Sequence, residues 1–588
     1  MNPSRLTNIL FFTILAVAFA LRIYQSDTHG IYLDEKYTLV ISQGVAMEGA
    51  NQHDVFFTPG KTYFTPQEFW KEKTFDDFAK AIRRGDIGNS PAYYAVLWSW
   101  TEAFGLSDFS IRFPSVLFST LLVWLVFLFV RRWFKSDWLA LLSAFLTAVE
   151  PFFVAYSHMA RNYSMSFFLT LLATHLFLLI LEQNQLGRKS GWLLLGYGAT
   201  FVVALLSHYL TITVFLCHGL YALLLVRPPR RWVPFVVVGM VGIGLVSFWF
   251  LFGGGDYTFQ TLAYQAKFYR NLALTDPYHN GFAIILPATL FNVAERSLPI
   301  WTDMFIVSNG LGQHDALGFR NLALAGGLGL LAAGLLHTYQ SPQRLPVWVP
   351  VLYGLLLLAP LPFTTVSSPQ YIVVAALPSL VYLLVLAVKK QMREGQTHLL
   401  VLLGLLAVVP TLFLLAMSFR NGHTYGITQR YSGFSFPYTI ILTAMLIGWI
   451  VRMPNAFRLV LGAVLLIQSY YIVRLLYYIY EDRAPKYTYF DRAREPNPYY
   501  RVAQKIKQQY APGDTVLYPS RRLYPHDEVG KTFWPYSIQD AQLTNLYLPE
   551  DATYIQRMDT TKVDKIILVK RSGQKITLFD LEGDKYRY

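Results

Sequence analysis

Residues 6–24 read LTNILFFTILAVAFALRIY. A helix needs ~20 mostly apolar residues to cross the hydrocarbon of a bilayer, and this run has that length and that composition. Similar runs follow near 112–130, 138–156, 164–181, 192–209, 210–226, 233–252, 321–337, 346–363, 370–388, 398–418, 433–451 and 457–479. The pattern predicts an all-α polytopic membrane protein of about 13 transmembrane helices. The first run also has the marks of a cleaved signal peptide, with Arg5 before the apolar core and Ala18-Phe19-Ala20 as a small-residue site. It continues apolar past Ala20, and the later spans need an anchor of the right orientation, so it is read as a span.

Composition agrees. Of 588 residues, 54% are hydrophobic and 15% charged, against about 25% charged in an average soluble domain. Disorder is excluded, because it requires low hydrophobicity and high net charge. A disulfide scaffold is excluded because the single cysteine, Cys217, has no partner in the chain. The net charge of +14 raises nucleic acid as a partner, but in so apolar a chain the place of each charge matters first. If the spans alternate, Arg5, Arg131, Arg132, Lys135, Arg188, Lys189, Arg227, Arg230, Arg231, Arg344, Lys389, Lys390, Arg393, Arg452 and Arg458 fall on one side. The positive-inside rule makes that side cytoplasmic. The excess is then topological, and no nucleic-acid partner is needed. The N-terminus is expected inside and the C-terminus outside.

The long connections fall on the opposite side: about 25–111, 253–320, 419–432 and 480–588. Work at the outer surface is the expectation. Two units are predicted, a membrane domain over 1–480 with its long first outer loop at 25–111, and a small extracytoplasmic α/β domain over 481–588. In the latter, Asn497 to Tyr510 reads as a helix and Thr515 to Tyr518 as a strand. Lys565–Lys570 and Lys575–Leu581 read as a hairpin across Arg571-Ser572-Gly573-Gln574.

Candidate site residues lie where apolar runs meet these outer segments. Asp34 and Glu35 stand side by side about ten residues beyond the first span. As a plain structural feature they are a solvated helix N-terminus, where the dipole favours carboxylates. Glu35 could also orient an acceptor, join Asp34 on a cation or pair with Lys36. Between spans come Glu150, His158 and Arg161, and the fifth span ends at His208-Tyr209. An Arg at membrane depth costs about 2.5–3.5 kcal/mol on insertion scales and usually faces a cavity or partner; the bland alternative is that Arg161 snorkels to the interface. Arg430 sits at a similar polar junction before the twelfth span. The segment 91–105 is short for a span and is expected to lie in the interface or re-enter. The loop at 253–320 either folds over a cavity or caps the structure. No P-loop, dinucleotide fingerprint or Cys/His metal pattern occurs. A divalent cation stays open, since such an ion needs several oxygen ligands and one carboxylate pair stands out.

In order along the chain, LDEKYT (33–38), NSPAYY (89–94), FGLSDFSIRFPS (104–115) ahead of RRWF (131–134), EPFFVAYSHMARNYSM (150–165), HY (208–209) and QRYSGFSFP (429–437) resemble the GT-C superfamily of polyprenyl-phosphate-dependent glycosyltransferases. The resemblance is to the branch of bacterial aminoarabinose transferases and protein O-mannosyltransferases, and covers most of the membrane part. It implies that Asp34 is the catalytic carboxylate, with Glu35 beside it, and that the sugar carbon inverts. Arg161, Tyr163, His158, His208, Arg430 and Tyr431 are then the candidates to bind the donor phosphate. The family often has His-Pro-Pro or Lys-Pro-Pro where this chain has Asn89-Ser90-Pro91, so the phosphate contact must come from elsewhere, with Arg161, His158 and Arg430 the candidates. The implied partners are a polyprenyl-phosphate-linked sugar donor and a lipid, glycan or protein acceptor in the bilayer of a bacterial inner membrane. Other readings are a transporter or flippase of lipid-linked glycans, a ligase using a pyrophosphate donor, and a non-catalytic scaffold. A transporter would show internal pseudo-repeats, and the sequence has none.

Overall fold

In the computed structural model, the residues described are 3–45, 62–63, 65–85, 90–227, 229–280, 284–312, 318–339, 345–363, 369–483, 486–487, 494–519, 536–559, 561, 563–582 and 586. Every one of the 13 apolar runs carries helix. Eight stretches among the described residues are long and apolar enough to cross a membrane outright. The rest are explained by breaks. Asp137–Val149 and Pro151–Ser157 are long and apolar enough only as a pair, bent by 54° at their junction, where Pro151 has no N–H to continue the ladder. Gln370–Asn421 is 52 residues long but contains Gly395 at φ 87°, a left-handed residue that turns one helix into two. Gly191–Ser207, Tyr209–Leu225 and Trp348–Leu358 are shorter apolar helices. The chain is a multi-pass membrane protein.

The helix starts are written locally. Ser107 caps Asp108–Phe134 by accepting from the Ser110 amide at 3.2 Å. After Lys135 at φ 52°, Ser136 caps Asp137–Val149 by accepting from Leu139 at 3.3 Å. Such caps satisfy amides that a helix leaves orphaned. Small residues then bring helices close. A Cβ on Gly329 of Phe319–Tyr339 would stand 2.2 Å from the Ala375 carbonyl of Gln370–Gln391, and one on Gly433 would stand 2.4 Å from Phe167. Phe152 and Phe436 stack at 4.0 Å in the same region.

Five strands form one sheet in the order β1 (Thr62–Tyr63), β3 (Ile555–Asp559), β2 (Thr515–Pro519), β4 (Lys565–Val569) and β5 (Lys575–Asp580). The β4–β5 hairpin falls where the sequence puts it, with Gly573 at φ 85° in its turn. The helix Pro498–Gln509 is capped by Asn497, which accepts from the Tyr499 amide at 3.0 Å. The edge strand β1 comes from the first long connection and pairs antiparallel with β3. Trp70 donates to the Asn545 carbonyl at 3.1 Å, and the Gly30 amide to that of Glu495 at 3.1 Å. The first connection and the C-terminal part are therefore stitched together. The segment read as interfacial or re-entrant is the helix Pro91–Phe104. Asn89, in the motif before it, lies outside the described residues, as do 46–61 of the first outer connection. The helix there runs from Leu33 to Ser42.

Candidate active site

At the start of the Leu33–Ser42 helix the Tyr32 amide donates to Glu35 Oε2 at 3.1 Å. Glu35 is not a solvated helix end. Its side chain is fully buried, and Arg112 grips both oxygens, Nε to Oε1 at 2.8 Å and Nη2 to Oε2 at 2.9 Å. With the Tyr32 amide already counted, the Ala160 amide adds a fourth donor at 2.8 Å and Arg494 a fifth at 3.5 Å. Burial alone would push this carboxyl up. The Arg112 guanidinium and its hydrogen bonds, Arg494 and the Ala160 amide outweigh burial and hold it below the usual glutamate value. A carboxylate with its lone pairs so occupied has none to spare for a proton or cation. Its bond to Ala160 ties the helix of Asp34 to the turn that carries Arg161.

Asp34 faces the other way. Its side chain is 30% exposed and meets Arg430 Nη1 at 3.5 Å. Arg161 Nη1 donates to the Asp34 carbonyl at 3.1 Å and to Thr38 Oγ1 at 2.6 Å. The Arg161 guanidinium stands 6.0 Å from the Tyr163 ring, and that ring is 5.9 Å from His208. His208 is 5.9 Å from Tyr431, whose ring lies 4.9 Å below the Arg430 guanidinium. Asp34, Arg430, Tyr431, His208, Tyr163 and Arg161 thus form a closed ring of contacts drawn from four separate parts of the chain. Each part is fixed in place. Asn162 donates to Ser90 Oγ at 2.8 Å and to the Ser207 carbonyl, joining the 158–162 turn to the end of Gly191–Ser207. The His208 ring is oriented by the Leu210 amide, which donates to Nδ1 at 3.2 Å. Gly433, pressed on Phe167 and Phe152, seats the Gln429–Ser432 turn.

Three candidate residues lie outside this ring. Glu35 is behind it, as described. His158 is buried against Tyr480, 5.7 Å between ring centroids. Glu150 belongs to another cluster, where it accepts from Asn309 Nδ2 at 3.4 Å. Three cations escaped the sequence reading. Arg112 and Arg494 hold Glu35. Arg22 is fully buried and gives Nε to Ser119 Oγ at 2.7 Å, Nη1 to the Ala18 and Ala148 carbonyls and Nη2 to the Thr147 carbonyl at 3.0 Å each. The signal for Arg22 and Arg112 was there: each is a charge inside or at the edge of an apolar run and requires a partner at that depth. Among the described residues, no group of three or more His, Cys, Asp or Glu could hold a metal ion.

Residues 89–251 match the model of a family described as dolichyl-phosphate-mannose-protein mannosyltransferase. Arg112, His158, Arg161, Tyr163 and His208 lie in that segment; Asp34, Glu35, Arg430 and Tyr431 lie outside it. Among solved structures, the chain is similar to ArnT from Cupriavidus metallidurans bound to undecaprenyl phosphate, at 14% identity over 94% of this chain and 86% of that one, TM-score 0.32. The apo state of the same protein gives 14% identity, the same coverage and a TM-score of 0.36. AglB, an oligosaccharyltransferase from Archaeoglobus fulgidus in complex with an inhibitory peptide and a dolichol-phosphate, gives 12% identity over 92% of this chain and 64% of that one, TM-score 0.45. No curated protein matches the chain by sequence.

Proposed function

We propose that this GT-C glycosyltransferase moves a sugar from a polyprenyl-phosphate donor to a hydroxyl or amine of a lipid, glycan or protein acceptor at the outer face of a bacterial inner membrane. The N-terminus is cytoplasmic and the C-terminal α/β part lies outside. The acceptor oxygen or nitrogen attacks the anomeric carbon and its proton passes to Asp34. The bond from that carbon to the phosphate oxygen breaks, its electron pair leaves with the phosphate, and the carbon inverts. A positioned base is worth about 10²–10⁴-fold. The leaving phosphate gains charge in the transition state, and fixed cations in a water-poor site stabilise such charge. Arg161 and Arg430 take that role, because a guanidinium presents a planar, always charged fork. His208, Tyr163 and Tyr431 line the space between them.

The single observation that carries this reading is the ring itself: one half-exposed carboxylate beside two arginines, with Tyr163, His208 and Tyr431 closing the circle. The match of residues 89–251 to the dolichyl-phosphate-mannose-protein mannosyltransferase model supports the donor class. The test incubates the purified protein with a lipid-phosphate sugar and a panel of acceptors. Transfer by the wild type and none by Asp34→Asn is the expected result. Full turnover by Asp34→Asn overturns the assignment of the base, and transfer only from a lipid-pyrophosphate donor overturns that of the donor.

A further inference from the structure

Beyond the last apolar helix, Asn455–Tyr480, two cations reach opposite sides of the ring without touching it. Lys486 Nζ donates to Asp303 Oδ1 at 2.8 Å and to Asn309 Oδ1. Asp303 in turn accepts from the Gly310 amide at 2.9 Å on Oδ1, and from Gln429 Nε2 at 3.0 Å on Oδ2. Gln429 immediately precedes Arg430. Arg494 reaches Glu35 Oε2 at 3.5 Å, and Glu35 immediately follows Asp34. Arg494 is itself held by Asp482, which accepts from its Nε at 2.7 Å, its Nη2 at 3.0 Å and its backbone amide at 2.8 Å. The four participants are buried: the side chains of Lys486 and Arg494 are 9% exposed, that of Asp303 2% and that of Glu35 0%.

We propose that Lys486 and Arg494 are positioning residues that together set the separation of Asp34 and Arg430. Lys486 acts through Asp303 and Gln429, and Arg494 through Glu35. The inference rests on the reading of the ring as a transferase site. Its physical basis is the contrast between the ring and its supports. Asp34 meets Arg430 across a partly exposed contact of 3.5 Å. The neighbours on either side sit in buried charged clusters, Glu35 held by Arg112 at 2.8 and 2.9 Å with Arg494 beside it at 3.5 Å, and Asp303 held by Lys486 at 2.8 Å, and charge-assisted bonds are the stronger kind. The same length of chain therefore supports the base through one cation and the phosphate-binding arginine through the other. A shift of ~1 Å at reacting groups can cost about 10²-fold in rate, so supports of this type act on turnover without touching substrate.

Arg494→Ala, made together with Asp482→Asn so that the buried Asp482 is not left unpaired, keeps the Glu35–Arg112 pair whole, and Gln429→Ala cuts the second support without unpairing a buried charge. Both variants are therefore expected to fold. Each is expected to lower kcat about 10²-fold, with Arg494→Lys restoring most of the turnover. Two measurements on the full chain separate positioning from a general structural role. In double-mutant cycles, Gln429→Ala and Lys486→Gln should add little loss to Arg430→Lys, and Arg494→Ala should add little to Asp34→Glu, because groups acting through one another are non-additive. Amide exchange should quicken over residues 33–42 in Arg494→Ala and over 427–435 in Gln429→Ala. Additive losses overturn the proposal, as does unchanged exchange at both segments. The exchange arm needs no donor. Failure of the wild type to transfer any sugar would overturn the transferase reading, with the supports still judged by exchange.

Discussion

Asp34 and Glu35 are adjacent in sequence and opposite in physics. Asp34 is 30% exposed and meets Arg430, whereas Glu35 is buried in an ion pair with Arg112. Asp34→Asn should therefore remove turnover by about 10²-fold or more while the thermal midpoint in detergent barely moves. Glu35→Gln should do the reverse first: it leaves Arg112 buried without its counter-charge, a change that costs about 3–5 kcal/mol. The pH dependence has a definite sign. Glu35 ionises more readily in the folded protein than in the unfolded chain, where its value is about 4.3. Its contribution is then complete above that value and lost as pH falls through the lower folded one. The wild-type midpoint should drop on acidification below about pH 4 more steeply than that of Glu35→Gln. An equal drop in both would show that other carboxylates govern acid unfolding. The sequence made Asp34 legible, since a carboxylate just past a first span is a motif. Glu35 was not legible, because its partner is 77 positions away and no local pattern joins them.

At the scale of elements, each of the 13 apolar runs carries helix among the described residues, because a span's length and composition are set by the bilayer itself. What they did not give is how the helices meet. Gly329 sits where a Cβ would stand 2.2 Å from the Ala375 carbonyl and 3.0 Å from Pro378. In lipid there is no hydrophobic drive between helices, so such close backbone approach supplies the packing. Gly329→Ala must push Phe319–Tyr339 away from Gln370–Gln391, and overpacking of this kind costs about 1–3 kcal/mol. A lower midpoint with the ring's chemistry intact is expected; an unchanged midpoint would mean the two helices can part freely. Arg22 illustrates the opposite case. It fills the carbonyls at the end of Asp137–Val149 just before the 54° bend, where a helix C-terminus favours a cation. Arg22→Leu strips those carbonyls of their donors, at about 1–3 kcal/mol for buried groups left unmade. Thermal unfolding in detergent checks this too, and no loss of stability would mean that water replaces the guanidinium.

For the molecule as a whole, the question is which side of the membrane the ring faces, and two independent arguments converge. The first is charge: the short connections between spans carry Arg131, Arg132, Lys135, Arg188, Lys189, Lys389, Lys390 and Arg393 in step with alternation, and such connections stay in the cytoplasm. The second is connectivity. β1 from the first connection pairs with β3 near the C-terminus, so these two distant segments share one side, and Asp34 lies on the first of them. An odd number of crossings between the N-terminus and the sheet satisfies both, and an even number satisfies neither. The chain offers a clean test, because its one cysteine, Cys217, is buried. With Cys217→Ala as background, Ser572→Cys in the exposed β4–β5 turn should react with a membrane-impermeant maleimide once the outer face is accessible. Lys189→Cys, in an exposed connection between spans, should react only after the membrane is opened. The reverse pattern would move the ring to the cytoplasmic face and remove the outer-surface acceptor from the proposed reaction. Labelling of both positions before opening would break the link between charge and crossing number on which the count of 13 rests.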